Sequence, residues 1–294
     1  MTDATPVGKR LLKAIGWSIA FALIGVALVV VLSAVAGSVL YGGGMAGQER
    51  LRQVDRETAL VNGSIQLVAF LVATWAVGLR GCKLSWHALR WDTGSRGLRG
   101  FGSGLALGAA AAAAAVGVGA VVGVIAWSRD GGGLGEYLAG AALTTLALAP
   151  AALSEEVMFR GLPLVLLARV IGRWPALVLV AGAVFGLIHA SNPNSAPLAL
   201  VNIALAGLWL GAAFYAPGGI WTAFGAHLGW NAALAAVDAP VSGLTFRLPL
   251  LDYHAGAPCW ISGCRFGPEG GLLATAALGA ALLVALHWAR KETA

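Results

Sequence analysis

Long apolar stretches alternate with short polar segments along the whole chain. Four of these stretches contain no charged residue, and each is long enough, or nearly so, to cross a bilayer as a helix. They are Ala14–Gln48, Thr58–Leu79, Gly100–Ser128 and Gly271–Leu286. The pattern predicts an all-α fold, a polytopic bundle of transmembrane helices.

Turn-forming residues divide the remaining apolar region into further spans. The clusters Ser191–Ser195 and Pro217–Gly219 are rich in Asn, Pro and Gly, which break helices. Pro150 and Pro163 predict a bend or break in the span before these clusters. We therefore predict about eight transmembrane helices, at residues 14–39, 60–79, 101–127, 137–168, 175–190, 197–215, 219–237 and 271–289.

The composition agrees with a membrane protein. Hydrophobic residues make up 59% of the chain and charged residues only 11%, against roughly 25% charged residues in soluble domains. We interpret residues 1–294 as a single integral-membrane domain with its functional core at residues 134–237. The net charge of +6 needs no nucleic-acid partner, because lysine and arginine collect in the cytoplasmic loops of membrane proteins.

The distribution of basic residues predicts the orientation. With the N-terminus in the cytoplasm, thirteen Lys and Arg residues fall on the cytoplasmic side and six on the other side. Both termini are therefore predicted to be cytoplasmic. The basic segment 1–14 precedes an apolar run without a clear cleavage site, so we read that run as a first span and not as a cleaved signal peptide.

The three cysteines leave one pairing open. Cys82 falls in a predicted cytoplasmic loop, whereas Cys259 and Cys264 fall together in the predicted outer loop between the last two spans. A small disulfide between these two is compatible with an oxidising compartment, and so are two free thiols.

Ionisable residues lie inside the fourth predicted span. Glu155 and Glu156 are adjacent, and Arg160 follows four residues after Glu156, at the spacing of an intrahelical ion pair. Charged groups at membrane depth are costly and usually functional, because hydrocarbon cannot solvate them.

Two histidines lie deep in later spans, and each shares a helix face with a second residue. Phe185 and His189 are four residues apart, as are His227 and Asn231. Glu155 and His189 each lie about 14 residues, or roughly 21 Å, from the cytoplasmic end of their spans. We therefore expect these side chains to meet inside the bundle. We interpret three other polar residues as turn and packing residues: Asn192, Asn194 and Asn202.

Taken together and in this order, the three motifs resemble the CPBP family of intramembrane endopeptidases, which includes CAAX prenyl proteases and bacteriocin-processing proteins. The motifs are Glu155-Glu156-x-x-x-Arg160, Phe185-x-x-x-His189 and His227-x-x-x-Asn231. The resemblance implies that Glu155 activates a water, that His189 holds it, and that His227 and Asn231 stabilise the oxyanion. Glu156 and Arg160 would brace the site, with Phe185 in support. The residues alone equally allow Glu156 as the base.

The sequence alone leaves the metal dependence and the substrate open. Glu155, His189 and His227 could hold a divalent metal such as zinc, and the resemblance is compatible with either a metalloprotease or a metal-free glutamate mechanism; we favour the latter. The resemblance implies a membrane-anchored protein or peptide as the substrate. Composition suggests a bacterial inner membrane. A transporter or proton relay, and a non-catalytic immunity or scaffold protein, are the alternative functions.

Overall fold

The chain is almost entirely helical in the computed structural model, which describes residues 6–292. The longer helices are α1 Val7–Tyr41, α2 Gly44–Arg52, α3 Arg56–Gly81, α4 Gly94–Val121, α5 Leu134–Ile171, α6 Arg173–Ser191, α7 Pro197–Phe214, α8 Ile220–Ala236 and α9 Leu272–Lys291. Two strands, β1 Ile125–Arg129 and β2 Leu251–Ala255, form an antiparallel pair. Short helical turns occur at His87–Leu89, Cys259–Ser262, Cys264–Phe266 and Pro268–Gly270.

Seven helices within residues 6–292 are long and apolar enough to cross a membrane. The predicted span at 219–237 is also helical, as α8, but its 17 residues extend only about 26 Å, and α8 is buried among its neighbours. Large apolar side chains cover the outside of α1, including Leu23, Val30 and Val39, whereas Glu156 and Arg160 are fully buried. The predicted class, an all-α membrane bundle, is confirmed.

The predicted third span is wrong at its end. The helix stops at Val121, and the residues that we assigned to its last turn form β1, which pairs with β2 in the register Ile125↔Ala255 to Arg129↔Leu251. Apolar residues in a short strand are as hydrophobic as those in a helix end, so hydropathy alone could not separate the two.

Glycines bring α4 and α8 into direct backbone contact. A Cβ at Gly104 or Gly108 would overlap carbonyl oxygens of α8, and a Cβ at Gly225 or Gly229 would overlap carbonyl oxygens of α4. Small residues on both helices allow this close packing in a bundle that lipid surrounds. The contact holds α8, which carries His227 and Asn231, in the interior.

Helix α5 changes its winding directly after the two glutamates. The turn Val157–Gly161 is π-helical, and the α-helix resumes at Leu162. Pro163 has no N–H to donate to this turn, and the winding changes here, as predicted, whereas the α-helix continues through Pro150. Such turns often occur at functional sites. This one carries Arg160.

The segment between α8 and α9 folds back onto the bundle. Cys259 and Cys264 form a disulfide in it, which resolves the pairing that the sequence left open. Asp238 accepts a hydrogen bond from the backbone N–H of Leu248 at 2.8 Å. Val241, Ser242, Leu244 and Phe246 of this segment line an internal cavity, which motif residues such as Glu155 and His189 also line.

Candidate active site

Glu156 and Arg160 form the fully buried base of the site. The Nη1 of Arg160 lies 3.2 Å from the Oε1 of Glu156, one turn earlier on α5. The same Oε1 lies 2.8 Å from the Nδ1 of His227 on α8. Glu156 therefore forms the intrahelical ion pair that its spacing to Arg160 predicts. Its hydrogen bond with His227 links α5 to α8.

The guanidinium of Arg160 has two further partners. Its Nη2 donates to the carbonyl oxygen of Gly207 on α7 at 3.1 Å, and its Cζ lies 4.3 Å from the ring centroid of Phe185 on α6. Helices α6 and α7 can approach closely here because Gly207 has no side chain. A Cβ at this position would overlap the carbonyl of Ala181. Arg160 thus connects three helices around the site.

Glu155 faces the two histidines. Its Oε2 lies 3.9 Å from the Nε2 of His189 and 3.8 Å from the Nε2 of His227. The Glu155 side chain is 25% exposed, whereas that of Glu156 is wholly buried. Within residues 6–292, neither Oε2 of Glu155 nor Oε2 of Glu156 receives a hydrogen bond, but Oε1 of Glu156 is held by Arg160 and His227. Glu155 is therefore the free carboxylate of the pair.

Hydrogen-bond partners assign the protons of both imidazoles. The Nδ1 of His189 lies 2.8 Å from the carbonyl oxygen of Phe185, which can only accept, so this nitrogen carries a proton. The Nδ1 of His227 likewise faces the carboxylate of Glu156. In the neutral rings both Nε2 atoms are then acceptors that point toward Glu155. The Oε2 of Glu155 and the Nε2 of His189 can accept the two hydrogens of one water, whereas the Nε2 of His227 becomes a donor only when that ring is protonated.

Five of the side chains that the sequence singled out converge on one cavity of about 190 Å³, whereas Glu156 and Arg160 do not line it. Glu155, Phe185, His189, His227 and Asn231 all line it. Its walls are otherwise mainly apolar, with Leu148, Ile203, Leu210, Val241, Leu244 and Phe246 among the lining residues. A peptide could therefore lie beside Glu155 in largely apolar surroundings.

A metal site is a separate question from this convergence. Among the residues that the structure describes, no group of three His, Cys, Asp or Glu side chains is arranged to hold a metal ion. Metal binding by Glu155, His189 and His227 stays a prediction.

Sequence reasoning missed a second polar group in the cavity wall. Glu269 lies in the sequence between the predicted outer loop and the last span, but it is 4% exposed and lines the cavity together with Asn192 and Ser242. Burial raises the pKa of Glu269, and hydrogen bonds from Ser242 and Trp230 partly offset this rise. The only available signal was an acid directly before the last span, between glycines and a proline.

One comparison with known proteins covers the segment that contains the motifs. Residues 137–233 match the protein family described as type II CAAX prenyl endopeptidase, Rce1-like. No curated protein and no solved structure matches the chain. The matched third of the chain runs from Tyr137 to Ala233 and contains all three motifs. Over this segment, the chain is similar to the CAAX-type intramembrane endopeptidases that this family describes.

Proposed function

We propose that this protein is an intramembrane endopeptidase in which Glu155 activates a water to hydrolyse a peptide bond of a membrane-associated protein or peptide. One observation carries the proposal. The free carboxylate oxygen of Glu155 faces the Nε2 atoms of His189 and His227 at 3.9 and 3.8 Å, in a cavity that Asn231 also lines. A base, a water position and oxyanion donors are the parts that amide hydrolysis requires.

The environments of the two glutamates favour Glu155 as the base. Glu156 is occupied by Arg160 and His227, so taking up a proton would disrupt two buried contacts. Glu155 is partly exposed to the cavity, and its Oε2 receives no hydrogen bond from residues 6–292. It can accept a proton from water without breaking a contact of this kind. Glu156 acts as a brace in this assignment.

The reaction proceeds by attack of the water on the peptide carbonyl. Glu155 takes one proton while the water oxygen bonds to the carbonyl carbon, and the carbonyl π electrons move onto the oxygen. The tetrahedral intermediate then collapses, the C–N bond breaks, and the leaving nitrogen takes the proton from Glu155. The protons balance, and the carboxylate is regenerated.

The remaining residues divide into water-holding and oxyanion-stabilising groups. The Nε2 of His189 accepts the second hydrogen of the water. A protonated His227 keeps its Nδ1 hydrogen bond to Glu156 and carries a second proton on Nε2. In that form Nε2 donates to the oxyanion, next to the amide of Asn231. Donors already in place need no reorganisation in the transition state.

The substrate class follows from the family and from the cavity walls. The family's name denotes cleavage of prenylated CAAX substrates, and for this chain we propose a membrane-associated segment near a protein terminus. The apolar walls suit apolar residues beside the scissile bond. Prenylation is not a requirement of the proposal, and sorting-signal or leader processing would place the same kind of segment in the cavity.

The experiment is cleavage of defined peptides by the purified protein in detergent or vesicles. Paired peptides with and without a prenyl group on the same cysteine separate the substrate classes. The proposal predicts cleavage by the wild type and none above background by Glu155→Ala. Loss of cleavage in a strong chelator would reveal a metal requirement. A transporter or a non-catalytic scaffold would give no Glu155-dependent product with any peptide.

A further inference from the structure

A second buried carboxyl group, Glu269, lies in the wall of the catalytic cavity and is not used in the proposed reaction. It belongs to the segment before α9, well outside residues 137–233. Its Oε1 accepts from the indole Nε1 of Trp230 at 3.0 Å. Its Oε2 accepts from the backbone N–H of Ser242 and from the Ser242 hydroxyl, the latter at 3.2 Å.

These hydrogen bonds connect Glu269 to α8 and, through Ser242, to the loop that follows α6. Trp230 directly precedes Asn231 on α8 and lies three residues after His227. On the other side, the carbonyl of Ser242 accepts from the side chain of Asn192 at 3.0 Å. Asn192 follows His189 by three residues. The connected residues form an arc along the cavity wall: Asn192, Ser242, Glu269 and Trp230.

The backbone of Glu269 is itself fixed in place. Its carbonyl oxygen accepts from the Nδ2 of Asn202 on α7 at 2.8 Å, and the same Nδ2 reaches the carbonyl of Gly271 at 2.9 Å. The Oδ1 of Asn202 accepts from the hydroxyl of Thr275 on α9 at 2.6 Å. Asn202, which we interpreted as a packing residue, anchors the arc to the bundle.

We propose that Glu269 is a positioning residue of this active site. It fixes the turn of α8 that carries Asn231, and the loop after His189, in the positions that catalysis requires. The proposal rests on the proposed function. It assigns a role in the site to the segment between α8 and α9, which the sequence identified only as an outer loop. A displacement of about 1 Å at such a site can lower the rate by up to about a hundredfold.

The chemistry of the arc requires a carboxyl group at this position. The N–H groups of Trp230 and Ser242 can only donate, so the side chain between them must offer an acceptor to each. A glutamine has one acceptor oxygen and one NH₂ group. In Glu269→Gln, the NH₂ group therefore faces the N–H of either Trp230 or Ser242, and no hydrogen bond can form there. The substitution preserves size while breaking one arm of the arc.

The test is the steady-state kinetics of Glu269→Gln on a peptide that the wild type cleaves, with the unfolding temperature measured alongside. We expect kcat per folded molecule to fall by about tenfold or more, and KM to change by less than about threefold. Ser242→Ala is the matched control: it removes the hydroxyl but keeps the backbone N–H bond to Glu269, so its kcat should fall much less.

A second pair of variants keeps the proposal testable if Glu269→Gln does not fold. Trp230→Phe removes one donor to Glu269. Trp209→Phe removes an indole N–H in the same cavity wall that has no partner within residues 6–292. The two rings lie 6.0 Å apart. The proposal expects Trp230→Phe to lower kcat clearly more than Trp209→Phe does.

Two results would overturn the proposal. One is a Glu269→Gln protein with wild-type kcat per folded molecule, even if it melts earlier, because the residue would then be merely structural. The other, decisive where Glu269→Gln does not fold, is equal kcat for Trp230→Phe and Trp209→Phe. Glu155-dependent cleavage by the wild type would still stand in both cases. If the wild type itself shows no Glu155-dependent cleavage, the proposed function fails, and this proposal fails with it.

Discussion

At the scale of single residues, two adjacent glutamates have different surroundings. Glu156 contacts Arg160 and His227 and is closed off from the cavity, whereas Glu155 is directed toward two imidazole nitrogens and is partly exposed. Their spacing in sequence could not assign these roles, because neighbouring residues on a helix point about 100° apart and either could face the cavity. Contacts between helices decide which one is free.

Arg160→Lys tests the role of the brace. Lysine keeps the charge but loses the planar fork that reaches Glu156 and Gly207 and covers the ring of Phe185. We expect the variant to be less stable by about 2 kcal/mol or more, with a smaller loss of activity per folded molecule. Thermal unfolding in detergent measures this, with the exposed Arg169→Lys as control. Wild-type stability would contradict a bracing role.

His227→Ala tests oxyanion stabilisation. An oxyanion donor acts chiefly in the transition state, so removing it should lower the single-turnover rate more than it weakens substrate binding. A loss of roughly 10²-fold in rate is the scale of such donors. The exposed His287→Ala serves as control. A variant that binds substrate a hundredfold more weakly but turns over normally would place His227 in binding and not in catalysis.

At the scale of elements, the packing of α4 against α8 can be tested with two glycines of α4, one in the contact and one outside it. Gly104 leaves no space for a Cβ beside α8, whereas Gly102 has no neighbour within 4 Å. Gly104→Ala should destabilise the protein by about 1–3 kcal/mol or more through overpacking. Gly102→Ala should be neutral or stabilising by up to about 1 kcal/mol, because alanine favours helices. Equal unfolding temperatures for both would contradict the packing account.

The helices and the motif residues could be predicted from sequence, because hydropathy, helix spacing and turn residues are local signals. The end of the third span could not be, because Ile125–Arg129 becomes a strand through pairing with residues more than 120 positions away, Leu251–Ala255. Glu269 was missed for a similar reason. Its partners Trp230 and Ser242 are distant in sequence and are brought to it only when the segment after α8 folds back.

At the scale of the whole molecule, the basic residues predict that both termini are cytoplasmic. Reporter fusions after Lys291 and within 252–269 test this prediction. The first should report the cytoplasm and the second the opposite side, as the excess of Lys and Arg near the predicted cytoplasmic loops requires. A fusion in the loop that contains Cys82 serves as a cytoplasmic control. A cytoplasmic signal from the 252–269 fusion would contradict this orientation.

The central claim is that Glu155 is the base, and single-turnover cleavage by Glu155→Gln tests it most directly. Glutamine keeps the size and some hydrogen bonding of the side chain but cannot accept the proton of the water. The account predicts a rate lower by roughly 10²-fold or more, with folding preserved, and a wild-type rate for the exposed Glu49→Gln. A Glu155→Gln protein that cleaves at the wild-type rate would contradict the account.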